Sequence, residues 1–170
     1  MCLIFLKDFK PFDEREFSAV AKKFEKNKKT LMKLLFIIYM CLLIYVVFFA
    51  EAMGRTPQGE YVYNLVPLRE IKRFWKYIFD NDTLGSIARL NIFGNIIAFV
   101  PFGIFLPYLS EGKLKFILTF LYSFGLSLTI ELVQLITRVG SCDVDDIILN
   151  TIGGVIGYIL WSIYRHIKKG

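Results

Sequence analysis

Four stretches of the chain run long without charge. Leu34–Ala50, Leu90–Ser110 and Ile147–Tyr164 hold no Asp, Glu, Lys or Arg, and Phe116–Thr137 holds only Glu131. Charge-poor apolar runs of about 18 residues or more are long enough to cross a bilayer as helices. The pattern therefore predicts an all-α integral membrane bundle with spans at 31–50, 90–109, 116–137 and 147–164. These spans make one membrane domain over 31–164, preceded by a basic segment at 1–30 and followed by a basic tail at 165–170.

The segments between spans are patterned too. Asp13–Thr30 is Lys-rich with Phe17, Val20 and Phe24 at helical spacing, which predicts a helix lying on anionic headgroups. The loop 51–89 opens with turn formers (Gly54, Pro57, Gly59) and then reads Asn64-Leu-Val-Pro67. Beyond it, Leu68, Ile71, Trp75 and Ile78 fall on one helical face, with Arg69, Lys72, Arg73 and Lys76 opposite. That is the pattern of an amphipathic interfacial helix covering the ends of the spans. Span two carries Asn91, Gly94, Asn95, Pro101, Gly103 and Pro107, more breakers than a passive anchor needs. Span four sets Gly153 and Gly157 four apart, a surface for close approach of another helix.

Composition narrows the class without changing it. The 170 residues are 55% hydrophobic and 21% charged, with mean hydropathy +0.51; a soluble domain has about 45–50% apolar and 25% charged residues. A soluble enzyme, a disordered chain and a disulfide-stapled secreted module are excluded. The net charge of +6 would suit nucleic acid, but its placement speaks for the membrane, and no nucleic-acid partner is expected. Fourteen basic residues fall on the side of the termini and the turn after span two, against seven on the other side. By the positive-inside rule both termini are expected in the cytoplasm of a bacterial cell, with the chain in its plasma membrane and the loop 51–89 outside. Cys2, Cys41 and Cys142 are isolated, and the single histidine, His166, lies at the far end from the acidic residues. Neither a resident metal nor a cofactor is expected, and histidine-dependent chemistry on the outer side is unsupported.

The polar residues inside the spans gather toward one membrane surface. Asn91 and Asn95 share a face of span two; Glu131, Gln134 and Arg138 share a face of span three. The connection Ser141-Cys-Asp143-Val-Asp145-Asp146 follows, with Asn150 one turn into span four. A carboxylate as deep as Glu131 is costly unless paired, protonated or lining water. Two readings stand for it: an ion pair with Arg138 supported by Gln134 and Asn95, or a ligand contact or proton-carrying acid facing an outward cavity. Three stand for the aspartates: capping of span four by Asp143 or Asp145, oxygen ligands for a hard divalent ion, or recognition of a cationic ligand. The Gly and distal Glu of a calcium-binding loop are missing.

In order and interval, Asn64-Leu-Val-Pro67, Asn91-x-x-Gly94-Asn95-x-x-x-Phe99-x-Pro101-x-Gly103, Glu131-x-x-Gln134 and Asp143-Val-Asp145-Asp146-x-x-x-Asn150-x-x-Gly153-x-x-x-Gly157 resemble the VanZ-like family. The resemblance covers about Tyr63 to Tyr164. It departs at Cys142, where the family more often has an aromatic residue. It implies a small multi-pass bacterial membrane protein of a family whose founding member is associated with reduced susceptibility to teicoplanin, and it brings no settled enzymatic activity with it.

Two classes of function follow. In the first, Asn91, Asn95, Glu131, Gln134, Arg138, Asp143, Asp145, Asp146 and Asn150 form an outward-facing site. It would bind a lipid-linked envelope precursor or a glycopeptide antibiotic and so lower drug susceptibility. In the second, the chain is a membrane-embedded enzyme acting on a lipid-linked substrate, with Glu131 or Asp146 as general acid–base, with or without a divalent ion. Membrane lipids are expected partners in both, and a homo-oligomer is compatible with either.

Overall fold

The computed structural model describes residues 14–49 and 62–168, the side chains of 14–17 and 21 excepted. The first 13 residues of the basic arm, the turn-rich opening of the loop (including Gly54, Pro57 and Gly59) and Lys169 lie outside the described residues. The elements run α1 (Glu14–Phe49), β1 (Tyr63–Asn64), α2 (Arg69–Trp75), α3 (Thr83–Leu109), α4 (Phe116–Thr137), β2 (Cys142–Asp143) and α5 (Val144–Ile167). Four of these helices, α1, α3, α4 and α5, are long and apolar enough to cross a membrane. The fold is an all-α bundle.

The expected surface helix and first span are one continuous helix, α1. Nothing between Glu14 and Phe49 is a glycine or proline, so no residue interrupts it. Its 36 residues extend about 54 Å at 1.5 Å per residue. That exceeds the roughly 30 Å hydrocarbon core, so the Lys-rich turns project beyond the lipid. α3 likewise starts earlier than the charge-free run. Asp82 caps it, accepting the Gly85 N–H at 2.8 Å. Arg89, inside α3, turns back toward the loop and donates to the carbonyls of Ile78 (3.1 Å) and Asp80 (2.8 Å).

Small residues set the packing of the centre. α3 and α5 share the most extensive contact in the molecule. A Cβ at Gly103 would stand 2.0 Å from the Gly154 carbonyl oxygen, and one at Gly157 would stand 2.1 Å from that of Val100. The expected close approach at Gly153 and Gly157 is thus made to α3, with Gly154 joining it. α4 turns Thr119, Ser123, Ser127, Glu131 and Gln134 toward the interior.

α1 is the loosest member. It rests on α3 and α4 through Leu43, which packs with Phe99 and Ile130. Its Tyr39 hydroxyl donates to the Ala98 carbonyl at 2.7 Å. Pro101 has no N–H for the Ile97 carbonyl, and Tyr39 donates to the next carbonyl along, beside that break. Large apolar side chains, among them Leu42, Ile97, Leu121 and Ile163, face outward all around the bundle, a surface suited to lipid.

The loop side differs in detail from expectation. α2 is only seven residues long. Ile71 and Phe74 pack on Ile78, Ile92 and Leu149, while Leu68 and Trp75 are exposed. The inward face is therefore Ile71–Phe74–Ile78, because the chain leaves the helix after Trp75 and the turn redirects Ile78 inward. β1 and β2 form a two-residue parallel bridge, Tyr63 opposite Cys142 and Asn64 opposite Asp143, which the period-3.6 pattern gave no reason to expect.

Candidate functional site

Where α3, α4 and α5 meet the last turns of α1, a cavity of about 40 Å³ is lined by Asn95, Glu131, Gln134, Asp146 and Asn150. Its walls are completed by Leu43, Val46, Val47, Gly94, Ala98, Phe99 and Ile130. One water needs roughly 10–15 Å³ of such space, so the cavity accommodates about three waters, or one polar group of a larger molecule.

Each polar wall residue is held by a neighbour. Asn95 Nδ2 donates to Asp146 Oδ1 at 2.6 Å, joining α3 to α5. Asn150 Nδ2 donates to Ser127 Oγ at 2.9 Å, joining α5 to α4. Glu131 Oε2 accepts the backbone N–H of Asp143 at 2.8 Å, joining α4 to the start of α5. Gln134 Nε2 donates to the Val47 carbonyl at 3.2 Å, joining α4 to α1. Asn95 thus donates to Asp146 and Gln134 to Val47. The Oε1 atom of Gln134 is buried and has no hydrogen-bond partner among the described residues. A buried amide oxygen left so costs about 1–3 kcal/mol unless something in the cavity donates to it.

Asp143 and Asp145 stand beside the cavity and hold the loop onto it. Asp143 is the N-cap of α5: its Oδ1 accepts the Asp145 N–H at 2.8 Å and also Asn64 Nδ2 at 3.0 Å. Asp145 does something the linear sequence does not announce. Its Oδ2 accepts the N–H groups of Glu70 (2.7 Å) and Ile71 (3.1 Å), and its Oδ1 accepts that of Leu68. Leu68 precedes α2 in a left-handed conformation and supplies no side-chain cap. The carboxylate of α5 therefore caps α2 from outside. Burial pushes the Asp143 carboxyl above its ordinary range, against the lowering effect of its two hydrogen bonds. Burial likewise raises the neighbouring Cys142 thiol, with Glu131, Asp143 and Asp146 adding to it.

Of the candidates named from sequence, Asn91 lies one turn from Asn95 on α3, half-buried, and does not line the cavity. Arg138 is exposed in a left-handed conformation at the C-cap of α4. Two partners were missed. Asn64 ties β1 to Asp143 and, through Oδ1, accepts the Val66 N–H at 3.2 Å. An Asn two residues ahead of that amide, with Pro67 following, is the signature of an Asx-turn and was visible in the sequence. Ser127 lies within the apolar run of span three, with nothing local in the sequence to single it out.

A family model described as VanZ/LLP1 matches residues 36–165. Over 69 residues the chain is 38% identical to Protein VanZ of Enterococcus faecium, a stretch covering 41% of this chain and 42% of that relative. The match thus spans less than half of that curated relative's length. No solved structure matches this one.

Proposed function

Because the chain belongs to the VanZ/LLP1 family, we propose that it is a cell-envelope membrane protein that binds an amphiphilic ligand at the polar cavity and thereby lowers susceptibility to glycopeptides such as teicoplanin. The observation that carries this reading is the unpartnered Gln134 Oε1 in a cavity that shares Leu43, Val47 and Ile130 with an apolar groove of about 240 Å³ between α1 and α4. An acyl chain in that groove would bring a neighbouring amide or hydroxyl to Gln134, Asn150 and Asp146. The cavity is too small for a whole headgroup, so it would read one polar group and leave the rest to Asn91, Arg138 and the loop. The imbalance of basic residues favours an orientation with this end of the bundle outside the cell and both termini in the cytoplasm. Glycopeptides act on precursors displayed on that side.

The test is to express the protein in a susceptible Gram-positive host and verify membrane levels. Teicoplanin and vancomycin susceptibility are then compared for the native chain, Gln134→Leu and Asp146→Asn. A teicoplanin-selective gain that both variants lose is the expected result. A gain that both retain, or none with the native chain, refutes the reading. The catalytic alternative draws on one observation, that Glu131 and Asp146 line the same cavity; it requires a modified lipid product that Glu131→Gln abolishes.

A further inference from the structure

The opposite end of the bundle carries a second recess that the polar cavity does not involve. About 270 Å³ in volume, it lies between the middle of α1 and the ends of α3 and α5, and Lys28, Lys29, Lys33 and Lys168 line it against Glu25 and Glu111. Lys29 is engaged by Glu111 at 2.7 Å. Glu111 is placed for this by the α3–α4 turn, where Glu111 and Gly112 adopt consecutive positive φ values of 58° and 78°. Lys28, Lys33 and Lys168 make no salt bridge among the described residues, so the recess has a surplus of positive charge.

Directly below it, toward the bundle centre, runs an apolar groove of about 360 Å³ lined by Met32, Ile104, Leu160 and Trp161. The recess and the groove share Lys28, Tyr108 and Tyr164. Cationic side chains in the recess, two tyrosines shared between the two and an apolar groove whose lining residues fall about one turn further along α1, α3 and α5 thus adjoin one another. Lysines at the membrane edge attract anionic headgroups, and tyrosines favour the headgroup level.

We propose that this composite recess is a binding site for an anionic phospholipid, its phosphate among Lys28, Lys33 and Lys168 and an acyl chain in the groove beneath. α1 makes far less contact with α3 than α5 does, so the lipid serves as packing between α1 and the α3–α5 pair.

The full chain, purified in detergent, is titrated with phosphatidylglycerol and with phosphatidylcholine of the same acyl composition, and bound lipid is counted by native mass spectrometry. Glycerol phosphate is the soluble competitor. Phosphatidylglycerol is expected to bind at least tenfold more tightly than phosphatidylcholine, with glycerol phosphate unable to displace it. Each lysine among Lys28, Lys33 and Lys168 changed to Gln is expected to weaken binding about fivefold, from roughly 1 kcal/mol per surface charge. Ile104→Trp, which fills the groove without touching charge, is expected to weaken the long-chain lipid while leaving a short-chain analogue unaffected. Lys72→Gln and Lys76→Gln, at the other end, serve as controls that leave binding unchanged. Equal binding of the two lipids, or undiminished binding in the triple Gln variant, overturns the site. Displacement by glycerol phosphate at matching concentration reduces it to a free-anion site and overturns the lipid assignment.

Discussion

Asp145 gives the sharpest test of how this fold is held. Its carboxylate receives three backbone N–H groups from the segment Leu68–Ile71, and Asp145 itself is 1% exposed. A hydrogen bond to a charged group contributes about 1.5–3 kcal/mol, and loss of an ordinary N-cap costs about 0.5–2 kcal/mol. The donors are only partly buried, so water can replace some of what is lost. Asp145→Ala should therefore weaken docking of the loop by about 2–4 kcal/mol. Asp145→Asn keeps one acceptor oxygen but turns an NH₂ toward a donor, and should cost about half as much. At about 1.4 kcal/mol per decade, the alanine change raises the undocked fraction by about 30- to 1,000-fold. Cys142, buried and itself paired with Tyr63 in the bridge to β1, reports this directly. In a Cys2→Ser, Cys41→Ser background, maleimide labelling of Cys142 in membranes should accelerate in the order native, Asn, Ala, while the spans keep their thermal stability in detergent. Unchanged labelling in Asp145→Ala would show that the cross-chain cap contributes nothing.

Two further outcomes are expected. Gly103→Ala places a methyl group 2.0 Å from the Gly154 backbone oxygen, where no side chain can yield, and should lower the detergent melting point by an amount equivalent to 3 kcal/mol or more, roughly the upper end of overpacking costs; Gly125→Ala, with nothing within 4 Å, should be neutral or slightly stabilising. Burial raises the Asp143 pKa, so the folded state holds the proton more tightly than the unfolded one. Stability from this group is then full below its ordinary value of 3.8 and is lost as pH rises through the folded value. The stability advantage of Asp143→Asn over the native chain, followed by thermal unfolding from pH 4 to 8, should accordingly grow with pH; a shrinking advantage would reverse the sign of the argument.

The long helices were legible because burial in lipid leaves an unmistakable record, runs of apolar residues without charge. Their ends were less so. α3 begins at Thr83 rather than at Leu90, because the charge-free run stops at Arg89, whose side chain folds back to the loop carbonyls instead of ending the helix. The gathering of Asn95, Glu131, Gln134, Asp146 and Asn150 could be foreseen from helical spacing and a shared membrane surface. What could not be foreseen was which oxygen serves which donor. Asp145 read as the start of its own helix, and nothing near residue 68 in the sequence points to a carboxylate some 75 positions later. Contacts set by tertiary closure leave no periodic trace in the elements they join.

That distance along the chain also sets an order of events. The segment carrying β1 and α2 leaves the ribosome well before Asp143 and Asp145 exist, since synthesis runs from the N-terminus. Until α5 has been made and inserted, Leu68, Glu70 and Ile71 must keep their amides on water, and Ile71 and Phe74 have no Leu149 to cover. The loop is therefore a late seal on an already inserted bundle, and a chain truncated before residue 143 would carry its first three spans with that seal open.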